Sequence, residues 1–312
     1  MYRSQLYFEE AKKRFSDEDV PPIFVPSYNR PDPVILKHLE VEPELKIVLC
    51  IRREQYEMYK KWQGKVYSIM LLDNVHEIGE TRQRIIENIG DSFDQIFMWD
   101  DDMLRIDYTL PSITSKGTKA MRRAGVHFHR PEDRWTDLLK LWMYYMEDTK
   151  LSNIAISSPL YRPESWQLKY ENAPMKVNHN ACIQCVWLNL KFMREHNINY
   201  HPNYICGNED YALQFDIMSA GGLAVTITDM LYECPPINTQ PGGCENANGY
   251  KDPVERYKWY VSIAKKFYNN HPGILYKKTN SGKFESVKFN WKYWKKDKEE
   301  TSKLIQEYLW SE

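Results

Sequence analysis

The stretch that decides the fold is Gln95-Ile96-Phe97-Met98-Trp99-Asp100-Asp101-Asp102, a short apolar run closed by three aspartates. The apolar part is too short for a helix and is typical of a buried strand in a parallel sheet. Ligands of open α/β sheets bind at the carboxyl ends of the strands. Three carboxylates at such an end repel one another and favour a divalent cation such as Mg²⁺ or Mn²⁺, which usually also carries substrate phosphates. The alternative is a solvated acidic turn after a strand.

The segments around this strand alternate between strand and helix patterns. Upstream, apolar runs end at Pro26, Ile51 and Leu72, and helical patterns lie between them. Downstream, further strand patterns begin at Ile154 and Leu223. This alternation predicts an α/β fold with a mostly parallel sheet flanked by helices.

Composition points to a well-packed globular protein. The chain has 312 residues, of which 42% are hydrophobic and 14% aromatic. No apolar run approaches the ~20 residues that span a bilayer, so no membrane contact is expected. The charged N-terminus has no secretory apolar segment, which predicts a cytoplasmic protein.

The cysteines offer one candidate zinc site. Cys182-Ile183-Gln184-Cys185 has metal-ligand spacing. However, the segment from 181 to 188 has a strand pattern, in which residues three apart point to opposite faces. Buried free thiols are the alternative, and the absence of a second CxxC pair favours them.

Charge is distributed unevenly along the chain. Residues 251–312 carry 14 Lys and Arg against 8 Asp and Glu, although the whole chain has a net charge of −1. Bases alternate with aromatics from Lys288 to Lys296, a mixture that suits nucleic acid through phosphate neutralisation and base stacking. A solvated, lysine-rich hairpin explains the same pattern. We therefore expect residues 1–250 to form the main domain and residues 251–312 a helical, basic and aromatic extension packed on it.

A second acidic motif opens a helical pattern at Cys206-Gly207-Asn208-Glu209-Asp210-Tyr211. An acidic pair at a helix N-terminus is favoured by the helix dipole, so a simple cap explains it. A glycine before two carboxylates also permits close approach of a ligand, which favours a catalytic role.

Three features together resemble the GT-A (Rossmann-like) class of nucleotide-sugar glycosyltransferases. They are a first strand ending in Pro26-Ser27-Tyr28-Asn29-Arg30-Pro31, the aspartate turn, and the later Gly207-Asn208-Glu209-Asp210. The resemblance covers about Ile23 to Cys234. Within the class, the chain is most similar to the TET-associated glycosyltransferases of bacteriophages, which modify hydroxymethylated DNA bases. The host cytoplasm would then be its compartment.

The resemblance implies a donor site for a nucleotide sugar, expected to be a UDP-sugar, with Mn²⁺ or Mg²⁺. Asp100 and Asp102 correspond to the DxD metal ligands, and Arg82 corresponds to a residue that steadies the nucleotide. An exposed helical arginine is the alternative for Arg82. The other residues implied in nucleotide binding are Pro26, Ser27, Tyr28, Arg30, Asp73 and Asp101. Many relatives add a histidine ligand after the last core strand, where this chain has Glu233 or would use water.

The resemblance also implies a hexosyl- or pentosyltransferase of the inverting type. Asp210 corresponds to the base that deprotonates the acceptor, and Glu209 would orient a substrate. The preferred acceptor is a 5-hydroxymethylated pyrimidine in phage DNA. The candidate acceptor-binding residues are Arg122, Arg123, His179 and Asn180, and a surface or structural role is the alternative for His179.

Three other functions remain open at the level of sequence. A glycosyltransferase acting on polysaccharide or another cell-surface acceptor would have the same motifs. A nucleotidyltransferase or nuclease also uses paired carboxylates, but in a two-metal site that fits the first-strand turn poorly. A non-catalytic nucleic-acid-binding module would leave both acidic motifs unexplained. No pattern predicts the oligomeric state.

Overall fold

A nine-stranded sheet with helices packed on both faces forms the body of the chain. The computed structural model describes residues 3–108, 111–113, 119–121, 134–148, 151, 153–161, 174–178, 181–201, 208–235, 253–271, 275–280 and 283–289. The strands are β1 (Ile23–Ser27), β2 (Ile47–Arg52), β3 (Ser68–Leu72), β4 (Gln95–Trp99), β5 (Arg105–Tyr108), β6 (Pro111–Ile113), β7 (Lys119–Met121), β8 (Ile154–Tyr161), β9 (Met175–Val177), β10 (Cys185–Asn189), β11 (Leu223–Glu233), β12 (Leu275–Asn280) and β13 (Lys283–Phe289). The α-helices are α1 (Arg3–Arg14), α2 (Tyr56–Tyr59), α3 (Ile78–Ile89), α4 (Trp135–Asp148), α5 (Leu190–Glu195), α6 (Glu209–Ser219) and α7 (Pro253–Asn270).

The first half of the sheet is parallel. Its order is β3-β2-β1-β4, and every pair within it runs in the same direction. The carboxyl ends of β1 and β4 therefore lie side by side, which places Ser27 next to the aspartate turn. This edge is where the sequence predicts the ligand site.

The second half of the sheet is mixed. β10 lies antiparallel between β4 and β8, β11 pairs parallel with β8, and β5 and β9 pair antiparallel with β11. β11 is one long strand that pairs with all three neighbours, and its register with β8 shifts between Ile227 and Leu231. The α/β class is confirmed, and the parallel pairing is concentrated in β1–β4 and in the β8–β11 pair.

Alternating side chains of β4 divide the core into two layers. Phe97 and Trp99 face the layer that α1 and α4 cover, while Ile96 and Met98 face the layer that α3 and α6 cover. This period of two is expected for a strand buried on both faces. Cys185 and Cys182 lie in the first and second layers respectively, both as buried free thiols. No cluster of three or more His, Cys, Asp or Glu suited to a metal occurs among the described residues. Cys206 and Cys244, two of the cysteines that could complete a zinc site, lie outside them, so the zinc alternative stays untested.

The C-terminal segment contains a helix and a hairpin. Phe267 of α7 packs against Phe215 of α6 with 6.0 Å between ring centroids. β12 and β13 pair antiparallel as a separate two-stranded sheet. The division into residues 1–250 and 251–312 stays a prediction, and the aromatic and basic run from Asn290 onward lies outside the described residues. Across the described segments, no helix is both long enough and apolar enough to cross a bilayer.

Candidate functional site

The aspartate turn is fixed from two sides where β4 ends. The backbone N–H of Asp100 donates to the carbonyl of Gln184, at 2.7 Å, just before β10. The N–H of Leu104 donates to the carbonyl of Glu233, at 2.9 Å, where β11 ends. Asp101 is buried at 6% exposure, so the alternative of a fully solvated acidic turn is excluded.

Arg82 joins the two acidic motifs. It lies on α3, and the residue is 4% exposed. Nη2 donates to Asp100 at 2.7 Å, and Nη1 donates to Glu209 at 3.1 Å and to Asp210. An exposed helical arginine is therefore excluded, and the carboxylates of Glu209 and Asp210 serve a buried ion cluster as well as the start of α6.

A second arginine holds the other two aspartates. Arg30 donates through Nη1 to Asp101 and lies 3.8 Å from Asp102. Ser27 Oγ donates to Asp101 at 2.5 Å. The first-strand turn and the aspartate turn are thus joined by buried, charge-assisted hydrogen bonds.

Tyr28 of the first-strand turn and Asp73 lie at the outer rim of the site, whereas Ser27 and Arg30 are buried. The Tyr28 ring lies 3.9 Å from the guanidinium carbon of Arg52. Asp73 follows β3, and Arg53 donates to its two oxygens at 2.6 and 2.9 Å. Both members of that pair are more than half exposed, so the pair contributes little to stability but leaves charged groups accessible at the rim.

The site carries more acid than base. Two buried arginines face the five carboxylates of Asp100, Asp101, Asp102, Glu209 and Asp210. Burial raises the pKa of Asp101 to about 7. Burial and the charge of Asp100 raise the pKa of Asp102, and burial also raises the pKa of Asp210 despite Arg82. Burial is the main cause of these shifts, and the charges of Arg30 and Arg82 offset it only in part.

Asp100 and Asp102 offer carboxylate oxygens to a divalent cation, although the described residues contain no preformed cluster of three or more such ligands. Asp102 Oδ1 is buried and has no hydrogen-bond partner among the residues described. Buried oxygens normally have a partner, and Cys234 hydrogen-bonds the Asp102 carboxylate, so an unpaired Oδ1 leaves a position for an ordered water or a cation. Oxygen ligands of this kind suit Mg²⁺ or Mn²⁺.

Sequence reasoning missed two members of the site. The Tyr59 hydroxyl accepts from the N–H of Arg30 at 2.9 Å and lies 3.0 Å from Ser27 Oγ. Asn208 stands at the N-cap of α6 without capping it, and both polar atoms of its side chain are buried and unpaired within the described segments. Its position beside Glu209 was the available signal, whereas no local pattern pointed to Tyr59. Arg122, Arg123, His179 and Asn180 lie outside the described residues.

Replacing Arg82 by alanine is expected to cost about 3–5 kcal/mol of stability, the usual result of leaving buried charges unpaired. Arg84, on the same helix, is the matched control because its bond to Glu87, at 2.9 Å, is exposed. Its removal should cost less than about 1 kcal/mol. Urea unfolding of the two variants measures the difference, and equal losses would contradict the buried cluster.

The pKa of Glu209 predicts how stability depends on pH. Burial and the charge of Asp210 raise this pKa to about 8. The folded state then binds more protons than the unfolded state, so stability is fully present below the unfolded value of about 4.3 and declines as pH rises towards about 8. Urea unfolding without metal should show this decline, and Glu209→Gln should reduce it. An equal decline in the variant would refute the assignment to Glu209.

The α/β sheet, the acidic turn after β4 and the acidic start of α6 are the features in which the sequence resembles GT-A glycosyltransferases. The family model for TET-Associated Glycosyltransferase (TAGT) matches residues 21–243. The chain therefore belongs to the TET-associated glycosyltransferase family, which confirms the resemblance inferred from its motifs. No curated protein sequence matches the chain significantly.

Two solved structures show distant similarity. Mannose-1-phosphate geranyltransferase from Thermus thermophilus has 9% identity and a TM-score of 0.35, covering 67% of this chain and 74% of that chain. GalNAc-T7 with UDP, GalNAc and Mn²⁺ has 10% identity and a TM-score of 0.37, covering 70% of this chain and 44% of that chain. The family assignment rests on the match to the family model.

Proposed function

We propose that the protein transfers a sugar from a nucleotide-sugar donor, expected to be a UDP-sugar, to a hydroxyl acceptor. The observation that carries this proposal is the acidic cluster around Arg30 and Arg82 at the carboxyl ends of β1 and β4. Ligands of open α/β sheets bind at this edge. Family membership supports the same reaction class.

The cation would be held by Asp102 and Asp100. Bound there, Mn²⁺ or Mg²⁺ supplies positive charge to the diphosphate leaving group. The unpaired Oδ1 of Asp102 and the shortage of positive charge support this assignment. The excess of carboxylates also makes the site unsuited to a diphosphate unless a cation comes with it.

The turn from Pro26 to Arg30 would hold the nucleotide, with Asp73 reaching the base. Arg30 and Arg82 carry the positive charges that lie beside the metal carboxylates, so they are the groups suited to the phosphates. Tyr28 offers an aromatic face at the rim, where it already stacks on Arg52. Asp101 holds Arg30 and Ser27 in place for this role.

Asp210 would act as general base and take the proton of the acceptor hydroxyl as the sugar is transferred. Its raised pKa brings the carboxylate closer to the basicity that proton transfer at neutral pH needs. Glu209 Oε2 is buried and unpaired among the residues that the structure describes, so it is free to orient a substrate hydroxyl. A base of this kind favours the inverting reaction.

For the acceptor we propose a 5-hydroxymethylated pyrimidine in DNA. Membership of the TET-associated glycosyltransferase family supports this acceptor, because the resemblance to the bacteriophage members implies transfer to hydroxymethylated bases. Duplex DNA buries its bases, so the enzyme would flip the target base or act on single strands. The basic run that includes Lys292, Lys295 and Lys296 would hold the phosphate backbone.

A screen of UDP-sugars with Mn²⁺ or Mg²⁺ tests the function. We expect one donor to modify hydroxymethylcytosine DNA and to leave unmodified DNA of the same sequence unchanged. Slow release of nucleoside diphosphate without acceptor would support the proposed donor but would not test the acceptor. Transfer to polysaccharide but not to DNA would contradict the proposed DNA acceptor and favour a polysaccharide acceptor. No turnover of any nucleotide sugar would contradict the proposal.

Neutralising the C-terminal basic run tests the DNA contact separately. A Lys292, Lys295 and Lys296 triple glutamine variant should reduce the slope of log affinity against log salt by about 2–3, because each phosphate contact releases counterions. Binding to hydroxymethylated DNA at several salt concentrations measures the slope. An unchanged slope would favour the solvated hairpin.

A further inference from the structure

One guanidinium connects the donor side of the site with the acceptor side. Nη2 of Arg82 faces Asp100 on the β4 turn, and Nη1 faces Glu209 and Asp210 at the start of α6. These carboxylates come from elements far apart in sequence and meet only at this side chain. Arg82 Nε is buried and has no partner among the described residues.

We propose that Arg82 is a positioning residue through which donor binding frees the base. The inference rests on the proposed function, because it needs a nucleotide diphosphate beside Asp100. The diphosphate and the α6 carboxylates compete for the same guanidinium, since each is an anion and the guanidinium carries a single positive charge. When the diphosphate binds to Arg82, the guanidinium interacts less strongly with Asp210. The negative charge of Asp210 is then less well compensated.

The consequence is an ordered reaction. Without donor, Arg82 holds Asp210 in an ion cluster and makes its carboxylate less basic than it would be without this partner. With donor bound, the carboxylate regains basicity at the moment when an acceptor hydroxyl can react. Donor should therefore bind first, and linkage requires the reverse effect as well: weakening the hold of α6 on Arg82 should strengthen binding of the diphosphate.

Calorimetry with UDP and Mg²⁺ tests this coupling without requiring turnover. Asp210→Asn removes a competing charge and Glu209→Gln weakens a competing acceptor of Arg82, and each should tighten UDP binding by roughly three- to tenfold, a normal coupling for residues in one network. Asp216→Asn is the control, because Asp216 lies on α6 and its charge neighbours His201. That variant should bind UDP as the wild type does.

The Arg82→Lys background separates competition from simple repulsion. Lysine keeps the charge but lacks the planar fork that spans several carboxylates. Adding Asp210→Asn there should change UDP affinity by less than about twofold. An equal gain in UDP affinity from Asp210→Asn in both backgrounds would overturn the coupling. Unchanged UDP affinity in Asp210→Asn and Glu209→Gln would also overturn it. This second comparison does not require Arg82→Lys to fold. No UDP binding to the wild type would instead overturn the proposed function.

Discussion

Asp210→Asn is expected to lower the rate of sugar transfer by about 10²- to 10⁴-fold, the usual contribution of a general base. The amide keeps the size of the side chain but cannot accept the proton of the acceptor hydroxyl. Because Asp210 shares Arg82 with the donor side of the site, donor binding should be kept and, by the coupling proposed above, tightened. Initial rates of transfer with saturating donor, together with UDP affinity, measure both effects.

Asp216→Asn is the control for this prediction as well. It removes a carboxylate from the same helix and leaves the hydrogen bonds of Arg82 to Glu209, Asp210 and Asp100 in place. Its turnover should be close to that of the wild type. Near-normal turnover in Asp210→Asn would remove Asp210 from the role of base.

Asp102→Ala is expected to abolish the cation-dependent part of donor binding. Asp102 Oδ1 has no partner in the described part of the chain, so removing it should deprive the cation of a ligand while leaving the fold intact. Burial and the charge of Asp100 raise the pKa of Asp102, so the ionised side chain does not stabilise the fold. Truncating it should therefore cost little stability. Calorimetric titration of UDP with and without Mn²⁺ measures the effect.

Asp94→Ala is the matched control for Asp102→Ala. Asp94 precedes β4 at the opposite edge of the sheet, where it pairs with Arg194 at 2.8 Å and is largely exposed. Its removal should leave UDP binding dependent on Mn²⁺ to the same degree as in the wild type. Unchanged donor affinity in Asp102→Ala would count against Asp102 as a metal ligand.

The parallel half of the sheet was predictable because its strands are short, apolar and separated by helical patterns. β1 and β4 ended within a residue of their predicted ends. The insertion of β10 between β4 and β8 was not predictable, because periodicity shows which face a strand buries and says nothing about its neighbours. The end of β11 at Glu233 was not predictable either, because its pairing with β8 shifts register between Ile227 and Leu231.

The acidic residues of the site were predictable and their partners were not. Asp100 to Asp102 follow a buried strand, and strand ends are where such sheets bind ligands. The partnership of Arg82 with Glu209 spans 127 residues, a separation at which local sequence carries no information about contact. The sequence showed the charges that need compensation, and the fold shows that Arg30 and Arg82 compensate only part of them.

A crystal structure of the protein with Mn²⁺ and UDP tests the central claim most directly. Anomalous scattering from manganese is expected beside the Asp102 carboxylate at a ligand distance of about 2.0–2.3 Å, with the diphosphate on the same ion. Manganese and nucleotide bound elsewhere, with the aspartate turn unchanged around Arg30 and Arg82, would contradict it.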